Sequence, residues 1–258
     1  MSDSGHMQSD GALVQCMVGQ QPDVQIRYNW LHDTEKFGAR FDGEGDGYGG
    51  HMHNNVIWNV VGGIMVKGYN HNIYNNTAFD NGDKNDIIIM IDQGGNEGTI
   101  TINNASNKIA GHRTGTYNSY PVPGIYQSNW NGYETNLDIK DFLVDVENYD
   151  FSPIAGSPLI DNGSIYNNLN ISYNGINPDI GAYEYGGEYW TPGITWDVNL
   201  EFGEYFYPPN DLSILLGDVN YDQIINVVDI IFIVNSIIDD TEYNVIADLN
   251  EDGIINVV

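Results

Sequence analysis

The chain of 258 residues carries 8 lysines and arginines against 36 aspartates and glutamates, a formal charge of −28, with 41% hydrophobic residues, 30 glycines and 33 asparagines. So acidic a chain repels phosphate backbones, which argues against nucleic acid as a partner, yet its apolar fraction is too high for a disordered acidic tail. No window approaches the roughly eighteen consecutive apolar residues of a membrane span, and a single cysteine excludes an internal disulfide framework.

The first element is the apolar run Ala12-Leu-Val-Gln-Cys-Met-Val18, in which Cys16 reads as a buried free thiol. No signal peptide precedes it, since Met1-Ser-Asp-Ser-Gly-His6 lacks a basic segment followed by an apolar one. A repeat then emerges. Ala39-Arg-Phe-Asp42, Ile64-Met-Val-Lys67 and Ile89-Met-Ile-Asp92 are short alternating segments that follow one another at offsets of 25 residues. Ala39, Ile64 and Ile89 form one interior column, and Phe41, Val66 and Ile91 form another. Arg40, Met65 and Met90 point outward, as do Asp42, Lys67 and Asp92. A second family of columns places Asn29, Asn55, Asn76 and Asn103 in matching settings, where stacked amides can bond from rung to rung and close a tight turn. His32-Asp33, Trp58-Asn59 and Phe79-Asp80 align at a further turn.

These columns predict a parallel β-helix, whose coils share one continuous core and need caps at both ends. An ordinary β-sandwich would not account for two registered ladders. The repeat fades over 108–150, which reads as a long excursion lining a groove; within it Arg113, Trp130 and Tyr133 are candidate sugar contacts. Residues 188–212, rich in aromatics, Pro and Gly, read as a linker.

Beyond it, Asp218-Val-Asn-Tyr-Asp-Gln-Ile-Ile-Asn-Val-Val-Asp229 sets oxygen side chains at loop positions 1, 3, 5, 9 and 12, through Asp218, Asn220, Asp222, Asn226 and Asp229. The Ile224 carbonyl stands at position 7. This spacing wraps a chain around one hard Ca²⁺ ion. It returns 30 residues later at Asp248, Asn250, Asp252, Ile254 and Asn256, although the loop stops at Val258, one residue short of its twelfth position. The second site is therefore expected to be the weaker. Val227–Ile238 is apolar nearly all round and reads as a buried helix.

The segments His51-Met-His-Asn-Asn-Val-Ile-Trp-Asn59 and Gly63-Ile-Met-Val-Lys-Gly-Tyr-Asn-His-Asn-Ile-Tyr-Asn-Asn-Thr77 resemble coils of right-handed parallel β-helix proteins. That group includes polysaccharide lyases of the chondroitinase-B and alginate-lyase kind and pectin-acting enzymes. Ser152-Pro-Ile-Ala-Gly-Ser-Pro-Leu-Ile-Asp161 and Pro178-Asp-Ile-Gly-Ala-Tyr-Glu-Tyr185 resemble the closing coil of that group, so the likeness covers roughly residues 10–187. It implies an all-β, right-handed solenoid acting on polysaccharide outside the cell, with the first coil starting inside a longer parent domain. The two Ca²⁺ loops resemble a type I dockerin, which implies a cohesin-like or surface-anchoring partner for a small helical module over 213–258. Gln223 stands where that family places Gly, and Val227, Val228, Val257 and Val258 stand where its recognition positions often carry hydroxyls.

Chemistry is sought first in the column Asp42–Lys67–Asp92 with Arg40 beside it, on rungs about 4.8 Å apart. Three readings stay open. A structural salt-bridge ladder would neutralise stacked charge. In a lyase, which the motif Val66-Lys-Gly-Tyr-Asn70 loosely resembles, Lys67 would be base or carboxylate clamp with Arg40 as its partner. In an inverting glycosidase, Asp42 and Asp92 would serve as acid and base at about 9.6 Å, the upper edge of the usual separation, with Glu44 or Asp46 as substitutes. His71 is a candidate proton shuttle, and His51 with His53 a candidate metal pair. A non-catalytic carbohydrate-binding or cell-surface structural protein is the competing class, and an inactive piece of a longer enzyme is a third.

Overall fold

The computed structural model describes residues 10–17, 22–43, 47–92, 95–166, 169 and 171–192, together with 217, 219, 225, 227–238 and 247. The chain divides into two compact units, Met1–Pro192 and Gly193–Val258. Among the described residues no helix is long and apolar enough to cross a membrane.

The first unit is a parallel β-solenoid. Its first coil comprises β1 (Ala12–Cys16), β2 (Gln25–Arg27) and β3 (Trp30–His32). The second comprises β4 (Phe37–Asp42), β5 (His51–His53) and β6 (Val56–Trp58), and the third β7 (Gly62–Lys67), β8 (Asn72–Tyr74) and β9 (Thr77–Phe79). β10 (Ile87–Ile89), β11 (Ile100–Ile102) and β12 (Ala105–Ser106) make the fourth, and β13 (Ile109–Ala110), β14 (Ile125–Gln127) and β15 (Trp130–Asn131) the fifth. Each coil visits three parallel five-stranded sheets in turn: sheet A is β1-β4-β7-β10-β13, sheet B β2-β5-β8-β11-β14, and sheet C β3-β6-β9-β12-β15. The inward side chains, among them Ile26, Leu31, Phe41, Met52, Ile57, Ile64, Val66, Ile73, Ala78 and Ile89, fill one lumen. Cys16 is a free thiol packed at the margin of that lumen, half-buried and not fully enclosed as expected.

An asparagine ladder runs the length of the corner between sheets B and C. Asn29 donates from Nδ2 to Asn55 Oδ1, Asn55 to Asn76, Asn76 to Asn104 and Asn104 to Asn129, each at 2.9 Å. The backbone N–H of each donor residue reaches the same Oδ1, at 2.9–3.2 Å. The second amide hydrogen is spent on main-chain carbonyls, such as Ile26 O from Asn55 and Ile73 O from Asn104. The residue before each rung adopts positive φ: Tyr28 (53°), Asn54 (50°), Asn75 (48°), Asn103 (55°) and Ser128 (51°). Asparagine tolerates that conformation better than most residues. The doublets Asn54-Asn55, Asn75-Asn76 and Asn103-Asn104 therefore divide two tasks, one residue turning the chain and the next bonding along the axis. The fourth rung is Asn104, not Asn103.

Two further expectations are corrected. The repeat is lost over only part of 108–150: β13, β14 and β15 complete a fifth coil, from which 111–124 loops out, and the coils end at Asn131. The stretch 152–185 is not a closing coil. Phe151, Leu159, Ile180, Ala182 and Tyr183 pack over the outward side of sheet C. The chain there crosses the coils lengthwise, receiving Asn54 Nδ2 at Ala182 O (3.1 Å), Asn75 Nδ2 at Asp179 O (3.1 Å) and Asn103 Nδ2 at Ser164 O (3.0 Å). An antiparallel pair, β16 (Leu143–Asp145) with β17 (Asp150–Pro153), joins this cover. A short helix, α1 (Gly132–Thr135), follows β15, and in the second unit the described helix, α2 (Val227–Ile238), matches the expected span. Its residues Val227, Ile230 and Ile231 are more than half exposed, so it is not buried all round.

Candidate functional site

Register decides what sheet A brings together. β4 and β7 pair Ala39 with Ile64, Arg40 with Met65, Phe41 with Val66 and Asp42 with Lys67, as the offset of 25 requires. β7 and β10 pair Ile64 with Ile87 and Val66 with Ile89, an offset of 23. Continuing that register sets Met90 above Lys67, and Ile91 and Asp92 leave the strand for the exposed turn that follows. Ile91 therefore does not superpose on Phe41 and Val66, and the expected trio loses Asp92. The cause lies in Ile87-Ile-Ile-Met-Ile91, an unbroken apolar run with no alternation to set its register.

Arg40, Asp42 and Lys67 do meet. Lys67 Nζ lies 2.7 Å from Asp42 Oδ1. Arg40 Nη2 donates to Asp42 Oδ2 and Nη1 lies 2.6 Å from Asp10 Oδ1. Gln15 Nε2 donates to Asp42 Oδ2 at 3.1 Å. The Arg40 guanidinium holds the Asp10 carboxyl below its ordinary range. The side chains of Arg40, Asp42 and Lys67 are only 4%, 10% and 10% exposed, so the cluster lies largely below the surface. Beside it Met65, Ile88 and Met90 are fully buried, with Arg113 Nε against Met65 Sδ at 3.4 Å.

His71 is fully buried and stacks on Phe41 at 4.8 Å. Its Nδ1 accepts from Gly50 N (3.0 Å), which leaves Nε2 to donate to Lys67 O (3.0 Å). Burial pulls its pKa down to about 4, so the neutral ring cements a corner and faces the backbone, away from the Lys67 ammonium. Gly68 makes this corner possible: its φ is 115°, and a Cβ there would meet Gly47 O and the His71 ring.

The three expected sugar contacts separate. Trp130 is 5% exposed and lies beneath Phe142 on sheet C, so it presents no face to a ligand. Arg113 and Tyr133 are half-buried and both reach Asn85, through Asn85 N to Arg113 O (2.9 Å) and Tyr133 Oη to Asn85 Oδ1 (2.6 Å). His51 and His53 share the outward side of sheet B, but His53 is buried, stacks on Tyr74 at 4.5 Å and has its pKa lowered to about 4 by burial. Among the described residues no group of three or more His, Cys, Asp or Glu is placed to hold a metal. Glu44 and Asp46 lie outside the described residues.

So do Asp218, Asn220, Asp222, Ile224 and Asn226 of the first expected Ca²⁺ loop, and Asp248, Asn250, Asp252, Ile254 and Asn256 of the second. Asp229 is described: it is fully buried at the start of α2, and its Oδ1 accepts from Val219 N at 2.9 Å. The residues at positions 2 and 12 of the expected loop are thus bonded to each other.

The solenoid also holds a fully buried carboxylate that the repeat gave no reason to single out. Asp86 accepts from Asn81 Nδ2 (3.0 Å) and Ser106 Oγ (3.1 Å), with Lys108 Nζ at 3.8 Å. Complete burial, partly offset by Lys108, lifts its pKa to about 7. Lys108 Nζ also donates to the carbonyls of Asn81, Gly82 and Lys84, so the group closes the corner between sheets C and A. Its hydroxyl and carboxylate are sealed from solvent.

Compared with protein-family models, with curated proteins and with solved structures, the chain matches none of them.

Proposed function

We propose that this protein binds an extracellular polysaccharide along its solenoid, with its C-terminal module as a Ca²⁺-dependent attachment to a cohesin-like or other surface partner. The carrying observation is the registered stack of coils, which repeats side chains at about 4.8 Å along one axis and so offers a chain molecule a surface of matching periodicity. The coil is read as right-handed from its resemblance to right-handed β-helix proteins. Binding ranks above turnover because the ion-paired Arg40, Asp42 and Lys67 lie largely buried, where a polymer has little access. The bond from Val219 N to Asp229 supports the Ca²⁺ loop.

The enzymatic reading, as lyase or inverting hydrolase, keeps one specific support: Arg40 and Lys67 converge on one carboxylate of the solenoid, as a site handling uronate carboxyls would need. A panel of uronic-acid and neutral polysaccharides separates the two. Retarded migration in polysaccharide-loaded gels without product supports binding. Unsaturated ends would establish a lyase, and new reducing ends alone a hydrolase. The absence of both retardation and product on every polymer would overturn the polysaccharide reading.

A further inference from the structure

We propose that the aromatic cover over the first coils of sheet C is a stacking platform for a neutral glycan, with the rings of Tyr149 and Tyr189 as its two faces and Asp33 as an acceptor for sugar hydroxyls. The proposal rests on the polysaccharide reading above and adds a location and a sugar class.

The location follows from where rings gather and which of them solvent reaches. Outward side chains of β3, β6 and β9 stack in register along the axis: His32 lies on Trp58 at 4.3 Å, and Trp58 on Phe79 at 6.3 Å, with the planes within 8° of parallel. The covering segment adds a second aromatic layer. Its Phe151 stands 5.3 Å from Trp30 and 5.1 Å from Trp58, and both Phe151 and Tyr183 are buried. Two rings of this layer stay open, Tyr149 at 50% and Tyr189 at 41% exposure. Each stacks one face inward, Tyr149 on Trp30 (5.7 Å, 25°) and Tyr189 on Tyr183 (4.8 Å, 14°). Their opposite faces are what solvent reaches.

The two rings are also fixed in place. Tyr189 Oη donates to Tyr149 O, Tyr183 Oη to Trp190 O (2.8 Å), and Trp30 Nε1 to Tyr183 Oη (3.1 Å). The Tyr189 hydroxyl is thus spent within the protein, and its ring has little freedom left to lose when a ligand settles on it.

The chemistry fits an uncharged sugar. The face of an aromatic ring is the negative pole of its quadrupole, and it attracts pyranose C–H bonds polarised by neighbouring oxygens. The rim is acidic: Glu147 and Asp150 flank Tyr149, and Glu188 precedes Tyr189. Lys140, on the same cover, is taken up by Asp80 at 2.7 Å. Such a rim repels a polyanion, in keeping with the net charge of −28, while its carboxylates accept from hydroxyls. Trp58 links His32 to Tyr149, with ring centroids 4.3 and 6.0 Å apart. Asp33, next to His32 and 46% exposed, therefore borders the same surface. Hydrogen bonds from His32 and Asn59 hold its carboxyl below the ordinary range, so it stays an acceptor at neutral pH.

The test uses the full chain and two probes, a soluble neutral glucan and a polyuronate. Wild type should bind the glucan with an affinity that added salt leaves unchanged, since the ligand carries no charge. Tyr149→Ala and Tyr189→Ala should each weaken binding by about tenfold, the size of one lost stacking contact. Tyr149→Phe keeps the ring and should bind as wild type does. Hydrogen exchange on the wild type, which needs no variant to fold, should show the glucan protecting residues 147–151 and 183–190. Unchanged affinity in both alanine variants, or protection confined to other segments, overturns the site and leaves the polysaccharide reading standing. A loss in Tyr149→Phe as large as in Tyr149→Ala overturns the stacking. Binding of the polyuronate alone overturns the sugar class. Self-association that the alanine variants abolish, with no glucan bound, makes the platform an interface between copies and overturns the proposal. Binding of neither probe, nor of any other polysaccharide, overturns the site together with the reading beneath it.

Discussion

Asp42 of β4 and Lys67 of β7 occupy one register position on neighbouring rungs, and their side chains meet at 2.7 Å with about a tenth of each exposed. With Arg40 on the other carboxylate oxygen, the arrangement neutralises charge inside a covered sheet face. Lys67→Met should therefore cost stability, on the order of 3 kcal/mol, because it strands a nearly buried carboxylate on one remaining strong partner. Urea unfolding measures the cost. A variant as stable as wild type that has lost a polysaccharide-cleaving activity would instead place Lys67 in a catalytic site.

The asparagine ladder predicts a gradient. Asn76 accepts from Asn55 side chain and backbone and donates to Asn104 Oδ1, Met52 O and Tyr74 O. Asn76→Ala leaves several of these buried groups unpaired at about 1–3 kcal/mol each before relaxation, so a loss of about 3 kcal/mol or more is expected. Asn29 stands at the end of the ladder and is half-buried; Asn29→Ala should cost about 1 kcal/mol. Equal losses at the two positions would show that the rungs do not act as a connected column.

How much of this was legible depended on alternation. The coils, the lumen and the first rungs could be read where apolar and polar residues alternate, as in Ile64-Met-Val-Lys67. Reading failed at Ile87–Ile91, where every face looks inward and the register slipped by two. It failed by one at Asn103, because the lumen position of the fourth coil is Thr101, paired with Ile73. A buried threonine there disguised the phase and made Ile100 and Ile102 look interior. Residues 152–185 were misplaced for a different reason: their contacts run across the coils, and local pattern carries no trace of such long-range packing. The acid pair Asp179 and Glu184 shows what those residues do. Asp179 accepts from Asp161 N (2.7 Å) and Tyr185 N, and Glu184 accepts from Asp179 N (3.0 Å), pinning the cover to itself.

Asp86 makes stability pH-dependent in an unusual direction for a carboxylate. Its folded pKa of about 7 exceeds its ordinary value of 3.8, so the folded state holds a proton that the unfolded state has released. The stability this contributes is fully present below about pH 4 and is lost as pH rises through about 7. Asp86→Asn removes the proton and preserves the shape. The stability difference, wild type minus variant, should fall with a slope on the order of 1 kcal/mol per pH unit across that window. Chemical denaturation at intervals from pH 4 to 8 checks it. Glu184, lifted to about 7 by burial, shifts the same way, so the wild-type profile keeps a slope of its own. A difference independent of pH would mean that Lys108 holds Asp86 ionised throughout.

The last prediction concerns Ca²⁺. The oxygen donors expected at Asp218, Asn220, Asp222, Asn226 and Asp229 are three carboxylates and two amides, but Asp229 has a second task, accepting from Val219 N at the start of α2. Removing it therefore opens the loop as well as deleting a ligand, whereas Asp222→Ala deletes a ligand alone. Calorimetry should show Ca²⁺ binding that both variants abolish. Ca²⁺ should raise the protection of α2 amides in wild type, and the helix should stay unprotected in both variants with Ca²⁺ present. Asp229→Asn, which can still accept from Val219 N, should retain more helix in the metal-free state than Asp229→Ala while binding Ca²⁺ no better. If Asp229→Asn binds Ca²⁺ as wild type does, the twelfth position is a structural cap and the ion, where bound, is held by the earlier residues of the loop.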